Sequence, residues 1–136
     1  MQLFQSEADL AFRDEVRAFL DAHLPEEIAA SFFAYRRHGF DEMIRCHRIL
    51  AEKGWAAPNW PVEHGGPGWN PMQQYIFDAE AMMAGAPRLR PFGLKMIGPV
   101  LMRFGTEEQK ARFLPPILSG DEYWCQGFSE PGAGSD

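Results

Sequence analysis

The chain has 136 residues, of which 46% are apolar and 24% charged. This is the composition of a folded domain that buries roughly two thirds of the surface of its unfolded chain, and it excludes a disordered polypeptide. Nineteen acidic residues against thirteen basic ones leave a formal charge of -6, which argues against a general attraction to nucleic-acid phosphates. No apolar run approaches the ~20 residues of a membrane span, and the acidic start at Glu7 and Asp9 lacks the basic region of a secretory signal. A soluble cytoplasmic protein is therefore expected.

Ser6-Glu7-Ala8-Asp9 is a capping box, and Phe12, Val16, Phe19 and Leu20 follow it as one apolar stripe. The spacing predicts a helix over residues 7–23, ending before Pro25. Residues 25–38 carry Ile28, Phe32, Phe33 and Tyr35 and read as a short helix stopped by Gly39, with Arg36-Arg37-His38 as its solvated end. Asp41 then offers an N-cap to a helix over residues 42–53, with Ile44, His47, Leu50 and Ala51 on one side. Gly54 ends that helix, and Trp55 can pack back against it.

From Trp55 to Pro71, prolines and glycines alternate with Trp60 and Trp69. Three tryptophans are poor choices for a solvated tether, so this stretch reads as an ordered aromatic loop. Asn70-Pro71 is a cap with proline at the first helical position, and Tyr75, Ile76, Ala79, Met82 and Met83 continue a stripe up to Gly85. The apolar run from Leu94 to Phe104 contains Pro99, which predicts a bend or two short pieces. Thr106-Glu107-Glu108-Gln109 is a second capping box, opening a helix that carries Phe113 and Leu114 inward and stops at Pro115-Pro116.

Ser119 to Glu122 reads as a turn and Tyr123 to Ser129 as a strand, leading into Gly132-Ala133-Gly134-Ser135. Glycines of this kind let main-chain N-H groups converge on an anion, and they equally suit an ordinary turn leaving a strand. The fold class is all-α, about six helices with a short β-strand and a glycine loop at the C-terminal end. Cys46 and Cys125 form no CxxC pair and read as two buried thiols. His23, His38, His47 and His64 are scattered without metal-ligand spacing, Glu63-His64 suits a loop-fixing pair, and Met82, Met83, Met96 and Met102 suit core packing.

Taken in order, Gly105-Thr106-Glu107-Glu108-Gln109-Lys110, Leu114-Pro115, Ser119-Gly120 and Ser129-Glu130-Pro131-Gly132-Ala133-Gly134-Ser135-Asp136 resemble the acyl-CoA dehydrogenase family. Glu52-Lys53-Gly54-Trp55 and Pro61-Val62-Glu63-His64-Gly65-Gly66-Pro67-Gly68 look like that family's loop between N-terminal helices. The resemblance implies an N-terminal helical domain over residues 1–120 and the start of a middle β-domain over residues 121–136, with FAD held between the domains of the intact enzyme. It implies α,β-dehydrogenation of an acyl-CoA thioester to a trans-2-enoyl-CoA, with an electron-transfer flavoprotein as acceptor and a homo- or hetero-oligomeric assembly.

By the same resemblance the cofactor contacts fall on Gln126, Phe128, Ser129, Gly134 and Ser135. Phe128 and Ser129 would lie beside the isoalloxazine, and Gly134 and Ser135 would approach the pyrophosphate. Ser135 and Leu94 are the implied substrate contacts, Leu94 because its segment resembles the helix bordering the acyl pocket. Many members carry an aromatic residue in place of Gln126 and a small aliphatic one in place of Phe128. The family's catalytic glutamate belongs to a C-terminal helical domain and aligns with no residue here, so the 136 residues alone are expected to be inactive. Two further readings stand beside this one: a non-catalytic helical interaction module, and a subunit of a heteromeric dehydrogenase.

Overall fold

A computed structural model describes residues 6–134; Ser135 and Asp136 lie outside the described residues. Ser6 opens α1 (Glu7–His23), its hydroxyl accepting the Asp9 N-H while the Asp9 carboxylate takes the Ser6 N-H at 2.9 Å. Phe12, Val16 and Leu20 are buried along one face, as their spacing requires.

Helix α2 (Glu26–Phe33) ends well before Gly39. The Arg36 N-H returns to the Ser31 carbonyl at 3.0 Å and Tyr35 takes a left-handed φ of 55°, so the chain closes the helix at a tyrosine instead of waiting for the glycine. Nor are Arg36 and His38 simply solvated, because the Arg36 guanidinium donates to Ser31 Oγ at 2.8 Å and His38 Nε2 meets the Ile28 carbonyl at 3.0 Å.

Helix α3 (Phe40–Lys53) begins earlier than an Asp41 cap allows, with Gly39 as its N-cap. The cause is Glu42, whose carboxylate reaches back to the Gly39 N-H at 2.6 Å. Met43, Cys46, His47 and Leu50 form the buried face. At its far end Gly54, at φ 80°, allows the Trp55 N-H to return to the Leu50 carbonyl at 2.7 Å, and Trp55 is buried over the same helix.

The stretch between α3 and α4 (Pro71–Met83) contains a single 3-10 turn, Val62–His64. Asn70 caps α4 as its sequence predicts, accepting the Gln73 N-H at 2.9 Å. The buried face of α4 is Ile76 and Phe77; Tyr75, Met82 and Met83 face solvent. Packing against α1 decides this rotation, with Glu80 held by Arg17 at 2.8 Å and by Arg13 at 3.3 Å.

The run around Pro99 is broken into a wide-turn π segment, Phe92–Ile97, followed by α5 (Gly98–Phe104). Helix α6 (Glu107–Ser119) is capped by Thr106 and runs through Pro115 and Pro116 to Gly120. The expected stop fails because Leu114 and Ile117 are both buried. Burying two such side chains, at about 1.5–3 kcal/mol each, works against the penalty of about 3 kcal/mol for each of the two internal prolines.

Two apolar clusters result among the described residues. Helices α1, α3 and α4 enclose the first around Val16, Cys46, Trp55 and Ile76, while α5, α6 and the π segment enclose the second around Trp60, Leu94 and Ile117. The aromatic loop joins them, since Ala56 belongs to the first and the adjacent Ala57 to the second. Residues 123–130 are extended but pair in no ladder among the described residues. A strand is defined by the partner it bonds, and the segments packed beside this run are helical, so none supplies a ladder. The segment ends in a type II turn, with Pro131 preceding Gly132 at φ 80° and the Ala133 N-H donating to the Glu130 carbonyl at 2.9 Å.

Candidate functional site

The extended C-terminal segment is pinned at its start by aromatic contacts. Tyr123 meets the Phe40 ring edge-on at a centroid distance of 4.7 Å, and Trp124 meets Phe113 of α6 at 5.6 Å. This lays residues 124–127 beside the π segment and α5. Between them runs an apolar groove of about 430 Å³, lined by Phe92, Met96, Ile97 and Val100 on one side and Trp124, Cys125, Gln126 and Gly127 on the other.

Phe92, Met96 and Val100 stand four residues apart, the spacing that puts three side chains on one helical face. That periodicity is the signal by which the sequence could have named them. Met96 is therefore a groove residue and not core, and it is substantially exposed. Leu94, on the same segment, is buried in the second cluster and does not line the groove; it borders a small cleft with His47, Glu122 and Trp124.

Gln126 reaches the groove, while Phe128, Ser129 and Gly134 lie exposed beyond it. No atom lies within 4 Å of where a Cβ would stand on Gly127 or Gly134, so the main chain is open to close approach at both positions. Ser135, assigned to both cofactor and substrate, lies outside the described residues. The segment thus presents main-chain polar groups free of ladder pairing, one serine hydroxyl and an aromatic ring, next to an apolar groove. Main-chain and hydroxyl hydrogen-bonding groups beside an aromatic face suit a planar heteroaromatic ring carrying polar edges, and FAD fits this set.

The thiols differ from the expected buried pair. Cys46 is buried and desolvation pushes its thiol up to about 11, whereas Cys125 is exposed. Among the described residues no group of three or more His, Cys, Asp or Glu side chains could hold a metal ion, and no helix is long and apolar enough to cross a membrane.

His47 is the one titratable side chain in the second cleft that is buried, its Nε2 lying 3.0 Å from the Leu118 carbonyl. Burial lowers its pKa below the ordinary 6.5, and the neighbouring Arg48 lowers it further, against the opposing Leu118 bond and Asp121 charge. The unfolded chain then binds a proton more readily than the folded one. Stability from this residue is full above pH ~6.5 and falls as the pH drops through the unfolded value. An NMR titration of the His47 ring is expected to give a midpoint below 6.5; a midpoint above it contradicts the burial argument.

The sequence matches the family model described as "Acyl-CoA dehydrogenase, N-terminal domain" over residues 6–121. Among curated relatives, the chain is 42% identical over 130 residues to acyl-CoA dehydrogenase IpdE1 of Mycolicibacterium smegmatis, covering 92% of this chain and 33% of that protein. It is 48% identical over 88 residues to acyl-CoA dehydrogenase FadE26 of Mycobacterium tuberculosis, covering 64% of this chain and 22% of that one. Among solved structures, the ChsE4-ChsE5 complex from Mycobacterium tuberculosis superposes with a TM-score of 0.75 at 32% identity, covering 98% of this chain and 33% of that one. The Tcur3481-Tcur3483 steroid ACAD gives a TM-score of 0.75 at 36% identity over 98% of this chain and 34% of its own. The chain spans about a third of the length of IpdE1. With the helical architecture, both capping boxes and the family match in agreement, this chain belongs to the acyl-CoA dehydrogenase family and carries its N-terminal domain.

Proposed function

We propose that this chain is the N-terminal part of an FAD-dependent enzyme that removes two hydrogens across the α,β bond of an acyl-CoA thioester, giving a trans-2-enoyl-CoA. The observation that carries the reading is the apolar groove bordered by an unladdered polar segment, Gln126 to Ser129, in a chain of this family. When bound, FAD supplies hydride acceptance. The chain's own residues bind and orient. Gln126, Phe128 and Ser129 meet the ring system, Gly134 and Ser135 the pyrophosphate, and Ser135 the thioester. The wall formed by Phe92, Met96, Ile97 and Val100 excludes water from the acyl chain, with Leu94 supporting it from the core.

Residues 1–120 form the helical domain in this reading and residues 121–136 enter a β-domain that pairs the extended segment. The proton acceptor, a glutamate, comes from outside these residues, and an electron-transfer flavoprotein takes the electrons. A second form of the reading, one subunit of a heteromeric dehydrogenase, is favoured by two structural neighbours whose names each carry two components, one of them a steroid ACAD. A ring-bearing acyl group is then within the substrate class.

The test is anaerobic titration of the full-length protein, alone and with any partner that co-purifies, with acyl-CoA thioesters. Stoichiometric flavin that bleaches on addition of thioester is the expected result. A flavin-free oligomer that binds no thioester would instead mark a non-catalytic helical module and end the proposal.

A further inference from the structure

The π segment that walls the groove has a defect in its hydrogen bonding, and the defect is repaired from outside. The Gly98 N-H donates to the Gly93 carbonyl, five residues back, and so is not spent on Leu94. The residue that would continue this wide register onto the Leu94 carbonyl is Pro99, which has no N-H. Leu94 is buried, so a carbonyl left without a donor there would cost more than a typical bond contributes. Trp60 fills the gap. Its indole Nε1-H donates to the Leu94 carbonyl at 2.6 Å, with the ring 3% exposed.

The approach is shaped by the glycines around it. A Cβ on Gly98 would stand 2.5 Å from Trp60 Cζ2, and one on Gly93 would stand 2.9 Å from Ile117 Cγ2. The indole thus lies against Gly98, where a side chain would collide with it, directly behind the segment whose other face presents Phe92, Met96 and Ile97 to the groove. A π turn differs from an α turn by about one residue per turn, so its loss would rotate those side chains away from their present directions.

We propose that Trp60 is a positioning residue for the apolar wall: its indole N-H replaces the main-chain donor that Pro99 lacks, holds residues 92–97 in the wide turn, and so sets the size of acyl group the groove takes. The substrate part of this inference rests on the acyl-CoA dehydrogenase reading above. The bond itself does not.

Trp60→Phe keeps an aromatic ring and removes the donor, and Pro99→Ala returns a main-chain N-H to the same neighbourhood. The full-length protein is compared as wild type, each single variant and the pair. By hydrogen exchange with mass spectrometry, amides of residues 92–98 are expected to exchange about tenfold faster in Trp60→Phe, and much less so when Pro99→Ala is present. The ratio of kcat/KM for nonanoyl-CoA to that for 3-cyclohexylpropanoyl-CoA is expected to move at least about fivefold in Trp60→Phe and to return toward wild type in the pair. A merely structural role would lower both rates and leave their ratio in place.

Equal exchange in all four proteins, an unchanged ratio, or the same loss on Trp60→Phe whether or not Pro99→Ala is present would overturn the inference. If Trp60→Phe fails to fold while the pair folds, the compensation is supported; if both fail, the indole's bulk and not its N-H is what the segment needs, and the inference falls. Absence of turnover with every thioester in the wild type sinks the enzymatic reading, while the exchange cycle still decides the bond.

Discussion

Gly66→Ala is expected to destabilise the fold by about 3 kcal/mol, the upper range for forcing extra volume into a packed site. The cause is close approach and not conformation. A Cβ at this position would stand 1.7 Å from the Trp60 carbonyl oxygen and 2.9 Å from Trp60 Cβ, and the first of these is main chain that cannot rotate aside. Relief requires the loop to move, and with it the indole that meets Leu94. Gly54→Ala separates the two kinds of glycine requirement, because Gly54 has φ +80° with nothing within 4 Å of the added carbon. Its cost should be only the left-handed penalty, about 1 kcal/mol. Urea unfolding of both variants checks this, and a Gly54→Ala loss equal to or larger than that of Gly66→Ala would contradict the steric argument.

Ile117→Ala should cost about 2–5 kcal/mol, the range for removing a large aliphatic side chain from a core. Ile117 is 1% exposed, belongs to the second cluster and fills the space in front of Gly93. Collapse into the vacancy is restrained on two sides, by the π segment and by a helix that already contains two prolines. Val100→Ala is the contrast, since Val100 is half exposed on the groove and its truncation should change stability by only a few tenths of a kcal/mol. A loss below about 1 kcal/mol for Ile117→Ala would mean that this cluster does not hold α6 through its prolines.

Three helix starts were legible in the chain, whereas α3 opens from Gly39 and not from the expected Asp41. Ser6, Asn70 and Thr106 each cap a helix where their sequence places them, because a cap is satisfied within four residues and needs nothing from the rest of the fold. The first helix, the stop at Gly54 and the break before Pro99 follow from equally local rules. Helix ends governed by packing were not legible. Tyr35 closes α2 in a conformation that favours glycine, and α6 crosses Pro115 and Pro116, in each case against local preference. The rotation of α4 escaped for a related reason. The sequence stripe turns Tyr75, Met82 and Met83 inward, whereas packing on α1, with Glu80 tied to Arg13 and Arg17, buries Phe77 instead.

The candidate site divides in the same way. The C-terminal run and the segment around Leu94 were both identified as site-forming, yet the groove uses Phe92, Met96, Ile97 and Val100 while Leu94 turns inward. Trp60 carried no signal beyond being one of three tryptophans in an ordered loop, since its partner is a carbonyl 34 residues away.

By itself the sequence determined the family, the helical class and the helix starts at Ser6, Asn70 and Thr106, because ordered motifs and caps are written in neighbouring residues. Tertiary structure alone decided which face of α4 is buried, where two helices end, and that an indole completes the hydrogen bonding of a proline-broken helix. Those outcomes depend on contacts between segments far apart in the chain, where burial energies of a few kcal/mol outweigh local preferences of similar or smaller size.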